Sequence, residues 1–339
     1  MKIEVTRLFE ICSTVLQKNG VPEEQANIVA DSIVYAHRTG KATHGATRLG
    51  IYVEKIRRGD MAADTRMDIV KERGIVTVFD ANHGFGQVAA KIAIEKAIAT
   101  SERYGAGISA IRHSNNFGTA AYFAQMAVDA GKIAIIYSNS APAIAPWGGS
   151  KPIFGTNPIA YGFPTPEGIA PIILDMAVSN AARGKIRLAA KNGEKIPIGW
   201  ALDPGGKPTD DPNLAILGSM IPIGEHKGSG LALIVDLFAG MLSGSGYAGS
   251  VRPLNTNGAY SDNGHLFMVV DPSFFMEITE YNNRITHLVS QVKTSGKNAK
   301  VFLPGEQSVL NAINSSKQVE ISEKIYQEII TLQKNKEFG

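Results

Sequence analysis

The chain has a single cysteine in 339 residues. Cys12 lies between Ile11 and Val15 in a helix-like segment, so neither an internal disulfide nor a thiolate metal cluster can be built from one copy. A reducing, cytoplasmic setting is the expectation. Long apolar runs are missing too: none reaches the length of a membrane span, and the first ten residues alternate charged with apolar side chains instead of forming a leader, so no membrane partner is expected. Charge of one sign is scarce. A net +3, from 34 basic and 31 acidic residues with no basic block interleaved with aromatics, leaves no footprint for nucleic acid. No two of the 7 histidines have zincin spacing, so no metal site is expected. The absence of G-x-x-x-x-G-K-[ST] and G-x-S-x-G removes nucleotide triphosphate and α/β-hydrolase chemistry. Internal repeats and low-complexity tracts are absent as well.

What remains is enough for a sizeable core: 44% of the residues are hydrophobic and 19% charged, and the length favours two domains. Three helices are expected first, over 5–20, 21–40 and 43–59, each closed at or near a glycine. Strand signals follow at 66–70, 74–80, 108–112, 133–138, 153–164, 171–176 and 265–270. Helical stretches lie among them at 84–103, 117–129, 179–191, 227–242 and 273–292, with a last one at 321–333. Strands and helices mix without alternating cleanly, which predicts an α+β fold, a mixed sheet with flanking helices, over a doubly wound one. The expected division is a helical N-terminal unit, 1–72, joined in space by C-terminal helices within 305–339, and an α/β cofactor-binding core over 73–304.

One pair of residues stands out. His44 and Arg48, read as i and i+4 on the third helix, share a face and can meet one small molecule. One offers a proton and the other a fixed positive charge, the two things a hydride-transferring enzyme needs for a 2-hydroxy or 2-oxo acid. Gly84-Phe85-Gly86-Gln87-Val88-Ala89 spells G-x-G-x-x-A, but the next strand ends at Arg112-His113 and not at a ribose-binding acid. A tight turn opening a helix is the better reading. His226-Lys227-Gly228-Ser229-Gly230 precedes an apolar helix and is either a pyrophosphate contact or a solvated helix start. Asp175 ends an apolar strand; it either faces a crevice or caps a helix beginning near Ser179. Gly155-Thr156-Asn157-Pro158 reads as a rigid structural turn.

With these residues in place the chain resembles the malate/L-lactate dehydrogenase family of the non-Rossmann type, which includes sulfolactate, ureidoglycolate and diketogulonate dehydrogenases or reductases. The matching stretches run in register over nearly the whole sequence: Thr43-His44-Gly45-x-x-Arg48, Gly86-Gln87, Ser114-x-x-Phe117-Gly118, Pro146-Trp147-Gly148-Gly149, Gly155-Thr156-Asn157-Pro158, Leu174-Asp175-Met176-Ala177, Lys227-Gly228-x-Gly230 and Leu303-Pro304-Gly305-Glu306. The resemblance implies a homodimeric oxidoreductase using NAD or NADP, with NAD the favoured of the two, on a small 2-hydroxy or 2-oxo acid. Carried over, the cofactor touches Ser140, Asp175, Met176, Ala177, His226, Lys227, Gly228, Gly305, Glu306 and Gln307. Arg48 holds the substrate carboxylate and His44 moves the proton. One departure matters: Asn116 stands where the family's loop usually has a histidine, and an amide cannot take up a proton near neutral pH. His44 then works alone, or His113 at the head of the loop assists. The rival reading is a dinucleotide-binding member with weak or lost catalysis. Residues 253–263 are where substrate choice is expected.

Overall fold

The computed structural model describes residues 1–296 and 299–334; the end of the expected C-terminal stretch, 335–339, lies outside the described residues. β1 (Lys2–Glu4) leads into α1 (Val5–Gln17) and α2 (Glu23–Arg38), and two 3-10 turns, Ala42–His44 and Ala46–Arg48, precede α3 (Leu49–Arg57). Then come β2 (Asp68–Arg73), β3 (Val76–Asp80), α4 (Gly86–Tyr104), β4 (Ala106–Ser114), α5 (Ala120–Asp129), β5 (Ile133–Ser138), β6 (Ile159–Phe163) and β7 (Ile172–Met176). A smaller region holds α6 (Arg183–Asn192), β8 (Ala201–Leu202), β9 (Pro208–Thr209), α7 (Pro212–Leu217), β10 (Ser219–Met220) and α8 (His226–Val235), which continues as a π-helical turn, Asp236–Met241. β11 (Asn263–Val270), α9 (Ile278–Thr294), α10 (Glu306–Asn314), β12 (Gln318–Glu320) and α11 (Glu323–Lys334) complete the described chain.

The main sheet has the order β2-β3-β4-β11-β5-β6-β7. Among the described residues its one parallel pair is β3 with β4; β11 enters between β4 and β5 antiparallel to both. This is the mixed sheet with flanking helices that the unalternating pattern predicts. Alanines on α4 (Ala89, Ala90, Ala93, Ala97) and α5 (Ala120, Ala124, Ala127) are buried against Phe79, Ile111, Phe267 and Val269 of the sheet. Small side chains let the helices approach closely, and each buried Phe or Ile contributes roughly 1.5–3 kcal/mol. Leu8, Ile11, Val15 and Leu16 of α1 and Val29 and Ile33 of α2 form a second core, closed by Val319, Ile321 and Ile329 from the end of the chain. β1 pairs with β12 there, bringing the first and last strands together.

One reading is corrected and one is sharpened. The stretch 43–59 is not one helix: Gly45, at φ −93° and ψ −139°, separates the two 3-10 turns, and only Leu49–Arg57 is α-helical. His44 and Arg48 therefore do not share a helix face. The G-x-G-x-x-A stretch does lie in a parallel β3-α4-β4 unit, but its glycine serves packing. A Cβ on Gly86 would sit 2.2 Å from the Asn115 carbonyl oxygen and 2.7 Å from that of Asn116, so the bare backbone lets α4 start against the loop after β4. Among the described residues no helix is long and apolar enough to cross a membrane.

Candidate active site

The segment bearing His44 is fixed from both ends. Acids Glu23 and Glu24 open α2 and His37 and Arg38 lie in its last turn, matching the helix dipole. Gly40, at φ +78°, closes it in a Schellman motif: Gly40 N–H donates to His37 O (3.1 Å) and Lys41 N–H to Ala36 O (2.7 Å). The next turn is pinned by His37. Its Nε2 accepts from Ala46 N–H at 3.1 Å while its Nδ1 donates to Glu320 O at 3.1 Å, a neutral tautomer that burial favours by lowering its proton affinity. A Cβ on Gly45 would meet the His37 ring at 2.4 Å, so glycine is needed for this closure.

His44 emerges from that turn with its Nδ1 buried and without a hydrogen-bond partner. Burial is the largest influence on the ring, Arg48 adds to it, and together with Lys41 they outweigh the opposing carboxylate of Asp175, pushing the imidazole down to about 4. It is uncharged at neutral pH. The Arg48 guanidinium is aimed by Nε–H donation to Thr43 O (3.0 Å). One turn further along, the wholly buried Tyr52 accepts from Gln87 Nε2 at 2.8 Å and donates to Asn116 Oδ1 at 3.4 Å. Asn116 Oδ1 also accepts from Gly118 N–H (3.3 Å), which leaves the amide nitrogen as the group free to donate. The loop beneath is braced by His265, wholly buried, whose Nε2 reaches Ser114 Oγ (3.0 Å) and Asn115 O (3.1 Å) while Nδ1 meets Ser138 Oγ (2.8 Å); burial pushes this ring down to about 4 as well.

Asp175 is the hinge between this corner and the remaining expected residues. Its Oδ2 accepts from Lys41 Nζ (2.6 Å) and from Ala121 N–H (3.1 Å) in the first turn of α5. So it caps α5, and the helix expected near Ser179 starts instead at Arg183. Met176 and Ala177 continue from it, and three connections hold β7, two just past this end and one at its start, by Ile173. Val178 N–H bonds Thr156 O (2.9 Å), and Thr156 lies beside Ser140 (Oγ to Oγ1, 3.5 Å). Ile223 N–H bonds Val178 O (2.9 Å), carrying the His226-Lys227-Gly228 start of α8, where a Cβ on Gly228 would lie 2.3 Å from Ile223 O. Ile173 N–H bonds Pro304 O (3.0 Å), and Gly305, at φ +85°, would place a Cβ 2.7 Å from Ile173 O. Neither α8 nor α10 has a side-chain cap. Lys227 N–H donates to Gly224 O and Glu306 N–H to Leu303 O (3.1 Å each), so the other first-turn amides are the donors left for an anionic phosphate.

Three residues are engaged elsewhere. His113 puts Nδ1 on Asp80 Oδ2 (2.9 Å) and packs on His83, so that nitrogen is engaged in a separate cluster. Glu306 is tied to Lys293 and to Leu303 N–H (2.9 Å), and Gln307 bonds Asn311 along its own helix (3.1 Å). Lys41 and Tyr52 are the residues the sequence reading missed. Their signal was spacing: three residues before His44 and four after Arg48. Asn157, read as structural, is so: it is buried, accepts from Ser140 N–H (3.1 Å) and donates to Ala232 O (2.8 Å).

The family model for malate/L-lactate dehydrogenase matches residues 3–330. The chain belongs to that family. It is 36% identical over 331 residues to L-sulfolactate dehydrogenase of Methanothermobacter thermautotrophicus, covering 97% of this chain and 96% of the relative. The (2R)-3-sulfolactate dehydrogenase (NADP(+)) of Chromohalobacter salexigens is 35% identical, with 93% and 92% covered. Ureidoglycolate dehydrogenase (NAD(+)) of Escherichia coli is 31% identical, with 98% and 95% covered. Among solved structures, sulfolactate dehydrogenase from Methanocaldococcus jannaschii superposes with a TM-score of 0.92 at 34% identity, covering 98% of this chain and 96% of that one.

Proposed function

We propose that this member of the malate/L-lactate dehydrogenase family is an NAD(P)-dependent oxidoreductase of a small 2-hydroxy acid, interconverting it with the 2-oxo acid. The observation that carries the reading is the convergence of His44, half-buried and with an enclosed, unpartnered nitrogen, with Arg48 and with the strand end at Asp175. Relatives named for NAD(+) and for NADP(+) support either dinucleotide. Two uncapped helix starts and the close-packed Gly228 and Gly305 fit such a group, which Ser140, the Asp175-Met176-Ala177 turn and His226-Lys227-Gly228 would hold. When bound, the nicotinamide takes or gives the hydride.

The residues of the chain do the rest. Arg48 forms charge-assisted hydrogen bonds to the substrate carboxylate and so orients C2. His44, uncharged near neutrality, accepts the hydroxyl proton at its free nitrogen as the alcohol is oxidised and returns it to the oxo group in the reverse direction. An anionic substrate offsets the Arg48 charge, which eases protonation of the ring as the reaction proceeds. Asn116 donates from its amide nitrogen to the same oxygen. The chain works as a homodimer: Leu231, Leu233, Ile234, Phe238, Met241 and Leu242 leave an apolar face exposed along α8 and its continuation, a face a second copy would cover.

An assay of malate, sulfolactate, lactate and ureidoglycolate with NAD+ and NADP+ tests this reading. Turnover of at least one 2-hydroxy acid is expected. Thermal stabilisation by a dinucleotide with no turnover on any acid would favour the binding-only alternative.

A further inference from the structure

The proposed reaction does not call on Lys41, yet this lysine makes an ion pair that joins the α2–α3 connection to the main sheet. Its backbone is held by the Schellman closure of α2 and its ammonium lies 2.6 Å from Asp175 Oδ2, at the end of β7. The two side chains retain 27% and 11% of their exposure, so solvent screens the pair less than an ordinary surface bridge. Asp175 is in turn anchored by Ala121 N–H, so the strut runs from the His44 segment through the carboxylate to α5.

We propose that Lys41 is a positioning residue for the proton-moving histidine: by holding Asp175 it docks the His44–Arg48 segment on the cofactor-facing end of β7 and balances the carboxylate that faces His44. This rests on the reading of His44 as the acid/base. Three charges act on the ring: Arg48 and Lys41 oppose its protonation and Asp175 favours it. The other neighbours are neutral or spent. His37 packs on Gly45 as the uncharged tautomer, Tyr52 and Asn116 bond each other, and Glu328 of α11 sits against Gly50 further along. Removing the lysine charge subtracts one opposing cation and leaves Asp175 unbalanced. Both changes raise the proton affinity of His44.

The test is an NMR titration of the His44 ring in the free protein, assigned by its loss in His44→Gln, for the unaltered chain, Lys41→Met, Lys41→Gln and Lys41→Arg. In the unaltered chain the midpoint should lie near 4. It should rise by roughly one pH unit in Lys41→Met and Lys41→Gln and return to within a few tenths in Lys41→Arg. The acid limb of kcat for alcohol oxidation should move up with it. An unmoved midpoint in whichever neutral variant folds would overturn the inference. A midpoint that moves while the kcat profile stays put would uphold the link from Lys41 to His44 and sink the catalytic role of His44 instead.

Discussion

Two histidine clusters flank the loop after β4, and they differ in what their rings are left to do. His113 is half-buried with Nδ1 on Asp80, a carboxylate it shares with Arg112 (2.9 Å). Its neighbour His83 lies flat on Tyr260, with centroids 3.8 Å apart and planes 7° from parallel. In that cluster His113 is satisfied by Asp80, while His83 keeps its Nδ1 buried without a partner, as His44 does. His44 is more deeply enclosed, faces two cations and one carboxylate, and keeps a buried nitrogen with no partner. A buried polar atom left unpaired costs about 1–3 kcal/mol, a cost a ligand that supplies the missing partner removes. The difference teaches that residue type does not single out the working histidine. Nor does unmet hydrogen-bonding capacity, which His83 shares; what sets His44 apart is that capacity beside the Arg48 cation, whereas the cation of the other cluster, Arg112, is paired with Asp80.

The comparison can be broken at either cluster. The larger effect is expected at Arg48: Arg48→Ala removes the carboxylate clamp and should lower kcat/KM by about two to three orders of magnitude, with dinucleotide affinity nearly unchanged in a fluorescence titration. An effect confined to cofactor binding would move Arg48 out of the substrate site. The smaller is at the other cluster. His113→Asn should change kcat by less than about threefold, its cost appearing as a modest loss of thermal stability from the broken Asp80 contact. A hundredfold fall in kcat would return His113 to the chemistry.

Much of this architecture was legible in the sequence. The apolar runs of β3, β4, β5, β7 and β11 and the periodicity of α1, α2, α4 and α5 carry enough residues to declare themselves. β8, β9 and β10 are two residues each, too short for alternation to register, and β12 pairs with β1 from the other end of the chain, a contact no local pattern encodes. The site was legible in part and for a partly mistaken reason. His44 and Arg48 were singled out by helical spacing, whereas a glycine packed under His37 brings them together. Asp175 was seen as a strand-end carboxylate, but its partners, Lys41 and Ala121, lie far away in sequence and only the fold reveals them. Asn116 drew notice as a departure. Its bond to Tyr52 depends on α3 meeting the β4 loop, which the sequence alone does not report.

The most direct measurement of the central claim is the single-turnover rate of hydride transfer in His44→Gln, with dinucleotide affinity determined on the same preparation. The account predicts a fall of about two to four orders of magnitude in the rate, with cofactor affinity within a few fold of the unaltered protein. A rate that survives the substitution, with affinity intact, would contradict it.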